Sequence, residues 1–368
     1  MLLLKTLNLM LQKNYWLIVL LTLTFACRQP TAETSDAVSA RFTTNVDNTR
    51  LRAEAGPEGR IIRELPKGTT LYDLGEVSNF TTRLRLRGVW FDEPWLKVRT
   101  EDGTIGWVYA GALHFELNDG SERTRLLIEK RLQTLFGTAL ADSIRVYRQA
   151  FHNIESATDL AAVYEQGSFL RDTMARLMQD RIEVQPDLPD LFWLRQAMPG
   201  FMPQLVAEGT AYYLFWNYQT LQSAAARTPQ PEDDDFVALQ IELFPEDSIE
   251  YFFPVWFLQT WDYGGSSLLG RGHHLRILEK SDQLLAKSPL FAAEIRRLKA
   301  RIVNDISEPH VTYWETADKI VAELDAILQK DFKLLSAADK IALQTRREQF
   351  EEPARHGIAV NEQSGGAE

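Results

Sequence analysis

The sequence predicts a multidomain chain, with a small all-β barrel over residues 41–115 followed by a larger all-α helical domain over 121–350. Three observations predict it. From Arg41 to Leu113, short apolar or alternating runs are separated by Gly, Pro, Asn and Asp, the pattern of strands and turns. From Ser121 to about Phe350 the apolar residues recur at helical spacing instead. The composition, 45% hydrophobic and 25% charged over 368 residues, is that of an ordinary globular protein with room for two domains.

The first residues read as a targeting segment. Lys13 supplies a positive charge, and Trp16 to Ala26 is an uncharged run of 11 residues ending on a small one. That is the order of a secretory signal, and it is short of the roughly 20 residues a membrane-spanning helix needs. Residues 1–26 are therefore expected to be a signal peptide, with Met10 an alternative start. Cys27, the only cysteine, follows directly, and Leu23-Thr24-Phe25-Ala26-Cys27 resembles a bacterial lipobox. The resemblance implies cleavage before Cys27 and lipid on its sulfur. Two or three acyl chains, at about 0.8 kcal/mol per buried CH₂, hold where one is marginal. The expected location is the bacterial cell envelope, on the outer membrane if the organism has one.

An anchored Cys27 leaves no thiol for catalysis or disulfides downstream. Losing Lys5 and Lys13 with the signal takes the net charge from −11 to −13. So acidic a chain is repelled by nucleic acid and gains nothing from anionic headgroups. Residues 27–40, polar and rich in Thr, Ser and Ala, read as a flexible tether.

The β segment carries four short motifs in order. Leu51-Arg52-Ala53-Glu54-Ala55-Gly56-Pro57 is a strand running into a Gly-Pro turn. Arg60 to Leu65 followed by Pro66-Lys67-Gly68-Thr69 is a strand and a sharp turn. Trp95-Leu96-Lys97-Val98-Arg99 leads to Asp102-Gly103, a favoured type I′ hairpin pair. Gly106-Trp107-Val108-Tyr109 closes the series. Together they resemble the bacterial SH3 domain, over about a fifth of the chain; Arg52 and Glu54 stand where that family often has Asn and Arg. The resemblance implies an SH3-like barrel that binds peptidoglycan peptides or other proteins in a groove. Tyr72, Trp90, Trp95 and Tyr109 are the candidate aromatic contacts, although Trp95 reads equally as core. An insertion before Trp95 contains Thr82 to Gly88, whose period-two alternation puts Arg83, Arg85 and Arg87 on one strand face and Leu84 and Leu86 on the other. It is expected to form a hairpin projecting from the barrel, its arginines facing an acidic ligand.

In the α segment, Arg123–Phe136 is amphipathic and closed by Gly137. Ser156-Ala157-Thr158-Asp159 opens a second helix with a cap-like start, and Pro231 with four following acids opens another. Further helices are predicted over Gln204–Ala226, Ser267–Lys287, Leu290–Asp305, Tyr313–Leu328 and Ala337–Phe350. Residues 351–368 read as a frayed tail. Dense aromatics between Phe192 and Tyr263 fit a core, with a ligand pocket as the sharper alternative; Tyr212/Trp216 and Phe253/Trp256/Phe257 have helical spacing, and Pro254 would kink such a helix. His152 and Glu155 are spaced to share a helix face.

Wall-cutting chemistry is not legible. No Gly-x-Ser-x-Gly elbow and no zinc-type His pair with an intervening Glu occurs. Glu208, His273 and His274 are weak candidates for a metal or for general-base work. No catalytic residue and no cofactor is assigned. The expected function is a non-catalytic envelope lipoprotein held to a membrane by lipid on Cys27, its SH3-like domain binding peptidoglycan or an envelope protein and its helical domain a binding or scaffold module. The alternatives are a metal- or carboxylate-dependent hydrolase sited in the helical domain, and a subunit of a membrane-associated complex.

Overall fold

The computed structural model describes residues 40–115, 121–186, 188–206, 209, 211–245, 253–259 and 264–361. The expected signal peptide, Cys27 and Glu208 lie outside the described residues, as do the tether apart from Ala40 and residues 362–368 of the expected tail.

Residues 41–115 form one seven-stranded antiparallel sheet in the order β3-β2-β6-β5-β4-β1-β7. The strands are β1 (Arg41–Thr44), β2 (Thr49–Arg52), β3 (Ile61–Leu65), β4 (Thr70–Leu86), β5 (Val89–Thr100), β6 (Ile105–Tyr109) and β7 (Leu113–Phe115). Alternation supplies the core: Phe42, Leu51, Leu65, Leu71, Leu96, Val98, Val108 and Leu113 are buried. The long β4–β5 hairpin shifts register between Asp73 and Val77 and again between Val77 and Thr81. Such bulges bend a strand and strengthen its twist, which lets one hairpin wrap a small core.

Two turns differ from expectation. Between Thr100 and Ile105 only Gly103 has positive φ (86°), so Asp102-Gly103 is not a type I′ pair. Asp102 instead accepts hydrogen bonds from the Thr100 hydroxyl (2.5 Å) and the Thr104 amide (3.2 Å), and pairs with Arg63 at 2.6 Å. The two-residue turn with both φ positive is Arg87-Gly88 (47° and 80°), which joins Leu86 to Val89. It takes Arg87 out of the strand alternation that was expected to align it with Arg83 and Arg85.

The helical part contains ten described α-helices: α1 (Glu122–Phe136), α2 (Thr138–His152), α3 (Ala157–Arg181), α4 (Leu194–Ala197), α5 (Tyr218–Ala225), α6 (Pro231–Leu243), α7 (His273–Lys287), α8 (Ala292–Ser307), α9 (Ala317–Leu328) and α10 (Ala337–Gln349). Side-chain oxygens hold several starts. Ser121 accepts from the Thr124 amide, Ser156 from Asp159, Asn217 from Thr220, and Ser336 with Asp339 completes a capping box. Pro231 opens α6 with Glu232, Asp233 and Asp234 in its first turn.

The helix expected over Gln204–Ala226 is instead a hairpin followed by α5. Strands β8 (Phe201–Val206) and β9 (Ala211–Trp216) pair from Phe201/Trp216 to Val206/Ala211. The reason is local: Ala211 to Trp216 is apolar at every position, so it has no period of its own, and its aromatics favour a pleated strand. The second two-stranded piece, β10 (Phe257–Gln259) with β11 (Gly265–Ser267), replaces the expected kinked helix at Pro254 and the first residues of Ser267–Lys287. Gly270 and Gly272, both at positive φ, keep the chain from becoming helical before His273. Helix α2 ends at His152, so His152 and Glu155 do not share a helix face.

Buried apolar residues from Phe42 to Ile358 make one connected core across the sheet and the helices. Against β9, helix α3 approaches at Gly167, where a Cβ would sit 2.6 Å from the Trp216 ring and 2.8 Å from that of Tyr147. The expected projecting hairpin is held down at its tip. The Glu183 amide donates to the Gly88 carbonyl at 3.1 Å, Arg85 pairs with Glu183, and Leu84 and Leu86 pack on the core. Residues 351–361, expected to fray, are docked: Ile358 is buried, Tyr313 N–H donates to Ala359 O, and Asn361 N–H donates to Glu315 O.

Candidate functional site

The outward face of the β4–β5 hairpin is built by strand alternation. Cross-strand pairs Arg83/Asp92 and Arg85/Trp90 fall on it, while Leu84 and Leu86 turn inward. Trp90 is 44% exposed. Its ring lies 4.9 Å from the Arg83 guanidinium and 6.0 Å from that of Arg85, so two cations hold a broad aromatic surface in place. Asp92 sits beside them. The Thr81 hydroxyl, with Lys130 and Arg83, holds its carboxyl below the usual range. The result is an exposed aromatic plate with both signs of charge at its margin. Seven of the twelve exposed large apolar side chains among the described residues belong to the β module, including Phe80 and Ile105.

The other expected contacts are placed differently. Trp95 and Tyr109 are buried, their rings 5.6 Å apart. Trp95 Nε1–H donates to the Thr82 hydroxyl (2.8 Å) and Tyr109 O–H to the Thr82 carbonyl (2.7 Å). With their areas buried and polar atoms satisfied, both serve the core. Burial pushes the Tyr109 phenol well up, keeping it neutral. Tyr72 lies beneath Arg99, whose guanidinium is 5.3 Å from the ring, and does not join Trp90. Arg87, displaced by its turn, lines a separate cavity of about 380 Å³ with Asn45, Lys67, His114 and Asp190.

In that cavity Asp190 is the organising group. It binds His114 Nδ1 at 2.5 Å, accepts from the Phe192 amide at 2.9 Å and receives Asn45 Nδ2 at 3.4 Å. Burial opposes its ionisation, but His114 and the Phe192 amide hold the carboxyl below its ordinary value. The Asn45 side-chain Oδ1 is buried with no hydrogen-bond partner among the described residues. Sequence reasoning missed this group, since its members come from β7, the loop after β1 and a loop some 75 residues later. The faint signal was His114 between Leu113 and Phe115, a polar residue in an apolar strand.

Of the weak metal candidates, the two described histidines do not converge. His274 is fully buried, its Nε2 2.7 Å from Asp305 and its Nδ1 3.9 Å from Glu323. His273 faces away, toward Arg276 at 3.2 Å, and burial with nearby positive charge lowers its pKa. Glu208 lies outside the described residues. Among the described residues no group of three or more His, Cys, Asp or Glu could hold a metal ion. Most of the described aromatics in this run are core: Trp193, Phe201, Tyr212, Phe215, Trp216, Phe236, Phe244 and Trp256 are buried.

No curated protein and no solved structure matches the chain. One family model does, over residues 47–114, and it spans the strands, turns and hairpin just described. The chain therefore carries a bacterial SH3 domain at residues 47–114, followed by a helical region with ten described helices.

Proposed function

We propose that the protein is an exported lipoprotein of the bacterial cell envelope, and that its SH3 domain binds peptidoglycan or a protein partner through the Trp90 face. The observation that carries the binding site is the exposed Trp90 ring flanked by Arg83 and Arg85 on a hairpin within the domain. An aromatic plate stacks on sugar rings or apolar side chains, and guanidinium groups beside it receive carboxylates. Peptidoglycan offers both groups. The anchor rests on the run from Trp16 to Cys27, and among the described residues no helix is long and apolar enough to cross a membrane. The helical region is proposed as a non-catalytic binding or scaffold module. The hydrolase alternative gains no support from His274, which is engaged by Asp305 and shut away from solvent.

The test is cosedimentation of the detergent-purified full chain with insoluble peptidoglycan. Wild type is expected to pellet, and Trp90→Ala to weaken binding about tenfold or more, as the loss of a central aromatic contact does. Arg85→Ala is expected to weaken it less, because Glu183 already shares that guanidinium. Absence of wild-type binding would remove the peptidoglycan reading and leave protein contact.

For the anchor, Cys27→Ser is expected to abolish metabolic labelling with a fatty acid and to release the protein into soluble fractions. Labelling that persists in the variant would refute lipidation at Cys27.

A further inference from the structure

Helix α6 runs Phe236-Val237-Ala238-Leu239-Gln240-Ile241, and its one amide is almost completely buried. Gln240 lines a cavity of about 270 Å³ walled by α3, β9, α5, α6 and α8. Its amide nitrogen has no hydrogen-bond partner among the described residues. An unpaired buried donor costs about 1–3 kcal/mol, so the Gln240 amide as it stands does not add to stability. Two guanidiniums, Arg171 and Arg301, share the wall, with one carboxylate, Glu294. Arg171 is steadied 5.9 Å from the Tyr213 ring and by Asp172 at 2.8 Å. Asp172 balances the charge of Arg171, and the wall offers donors from Arg171, Arg301 and Gln240 with Glu294 as an acceptor, in a space of about nine water molecules.

We propose that this cavity binds a small carboxylate that also carries an ammonium or hydroxyl group. The carboxylate is received by Arg171, Arg301 and the Gln240 amide, and the second group by Glu294. Guanidinium pairs suit a carboxylate's planar geometry. The rings of Tyr164, Trp216 and Phe244 line the same cavity beside these polar groups. The site is independent of the SH3 domain's ligand, since it lies wholly within the helical region.

Trp216 lines the same cavity, its ring 4.7 Å from that of Tyr164 and parallel to it, which makes tryptophan fluorescence a direct reporter. The experiment titrates the full chain with L-glutamate, D-alanine and D-lactate, with alaninamide as the carboxylate-free control, and measures fluorescence and thermal unfolding. At least one of the three acids is expected to give a saturable signal and a raised unfolding midpoint, and alaninamide neither. Gln240→Met, which keeps the shape and removes the donor, should weaken that binding about tenfold or more. Its unliganded midpoint should equal or exceed that of wild type. Arg301→Gln, at an exposed position, should weaken binding as strongly and serves if Gln240→Met fails to fold. Absence of a signal from all three acids at about 10 mM overturns the proposal, because such a cavity would then hold solvent only. Binding that survives in both variants, or an equal response to alaninamide, overturns it too.

Discussion

Replacing Arg131 by alanine is expected to destabilise the fold by about 3–5 kcal/mol, because it strands a carboxylate that has no other cation within reach of a hydrogen bond among the described residues. Glu93 and Arg131 are 0% and 2% exposed. Arg131 Nε donates to Glu93 at 2.7 Å, and Nη2 reaches Glu93 (3.3 Å), the Ala110 carbonyl (3.0 Å) and the Leu113 carbonyl (3.2 Å). The guanidinium also lies 4.1 Å from the Phe115 ring. One side chain of α1 thus satisfies four oxygens of the SH3 domain and fills its edge. Burial pushes the Glu93 carboxyl above its ordinary 4.5 against the pull of Arg131. Without that pull the rise is larger.

The sign for pH follows. A carboxyl whose folded pKa lies above its unfolded one binds more protons when folded, so stability falls as pH rises between the two values. Arg131→Ala should therefore lose least against wild type at acidic pH and most near neutrality. Urea unfolding across pH checks it, and a loss below about 1 kcal/mol at pH 7 would refute the account. The double variant Arg131→Met with Glu93→Leu should recover most of the loss, since paired apolar replacements leave no orphaned charge.

The second large effect is expected at Glu323. Helix α7 begins at Gly272 in the left-handed region and has no side-chain cap of its own. Its cap comes from α9. Glu323 accepts hydrogen bonds from the amides of Gly270 (2.6 Å), Gly272 (2.9 Å) and Leu275 (3.0 Å), while almost fully buried. The carboxylate also lies at the positive end of the α7 dipole. Glu323→Ala orphans three partly buried donors and is expected to cost about 3–5 kcal/mol, at about 1–3 kcal/mol for each unsatisfied group with partial relief by water. Glu323→Gln keeps one oxygen acceptor and should cost about half as much. Hydrogen exchange should show the first turn of α7 losing protection first. Equal stability of Glu323→Ala and wild type in urea would contradict the capping role.

The local devices of the fold were open to reading from the chain alone. Ser156 with Asp159, Pro231 with its acids and Gly137 after Phe136 act within one helical turn, so residue type at short spacing was enough. The SH3 motifs were legible for the same reason: strand alternation and turn residues are short-range, and the matched family model spans them. Where alternation ended, reading failed. Arg87 belongs to a turn, and the apolar run Ala211–Trp216 has no period to separate strand from helix.

Only the tertiary structure decided which polar residues matter. Glu93 with Arg131, Glu323 with three amides, Asp190 with His114 and the lone amide of Gln240 owe their roles to partners brought close by packing. A charge's burial and its neighbours across the core set its energy, and neither is a local property of sequence. The cysteine that follows the apolar leader stands on the other side of that division. Cys27 is the chain's only thiol, and that fact of sequence sets the proposed anchor and removes disulfides and cysteine catalysis from everything downstream.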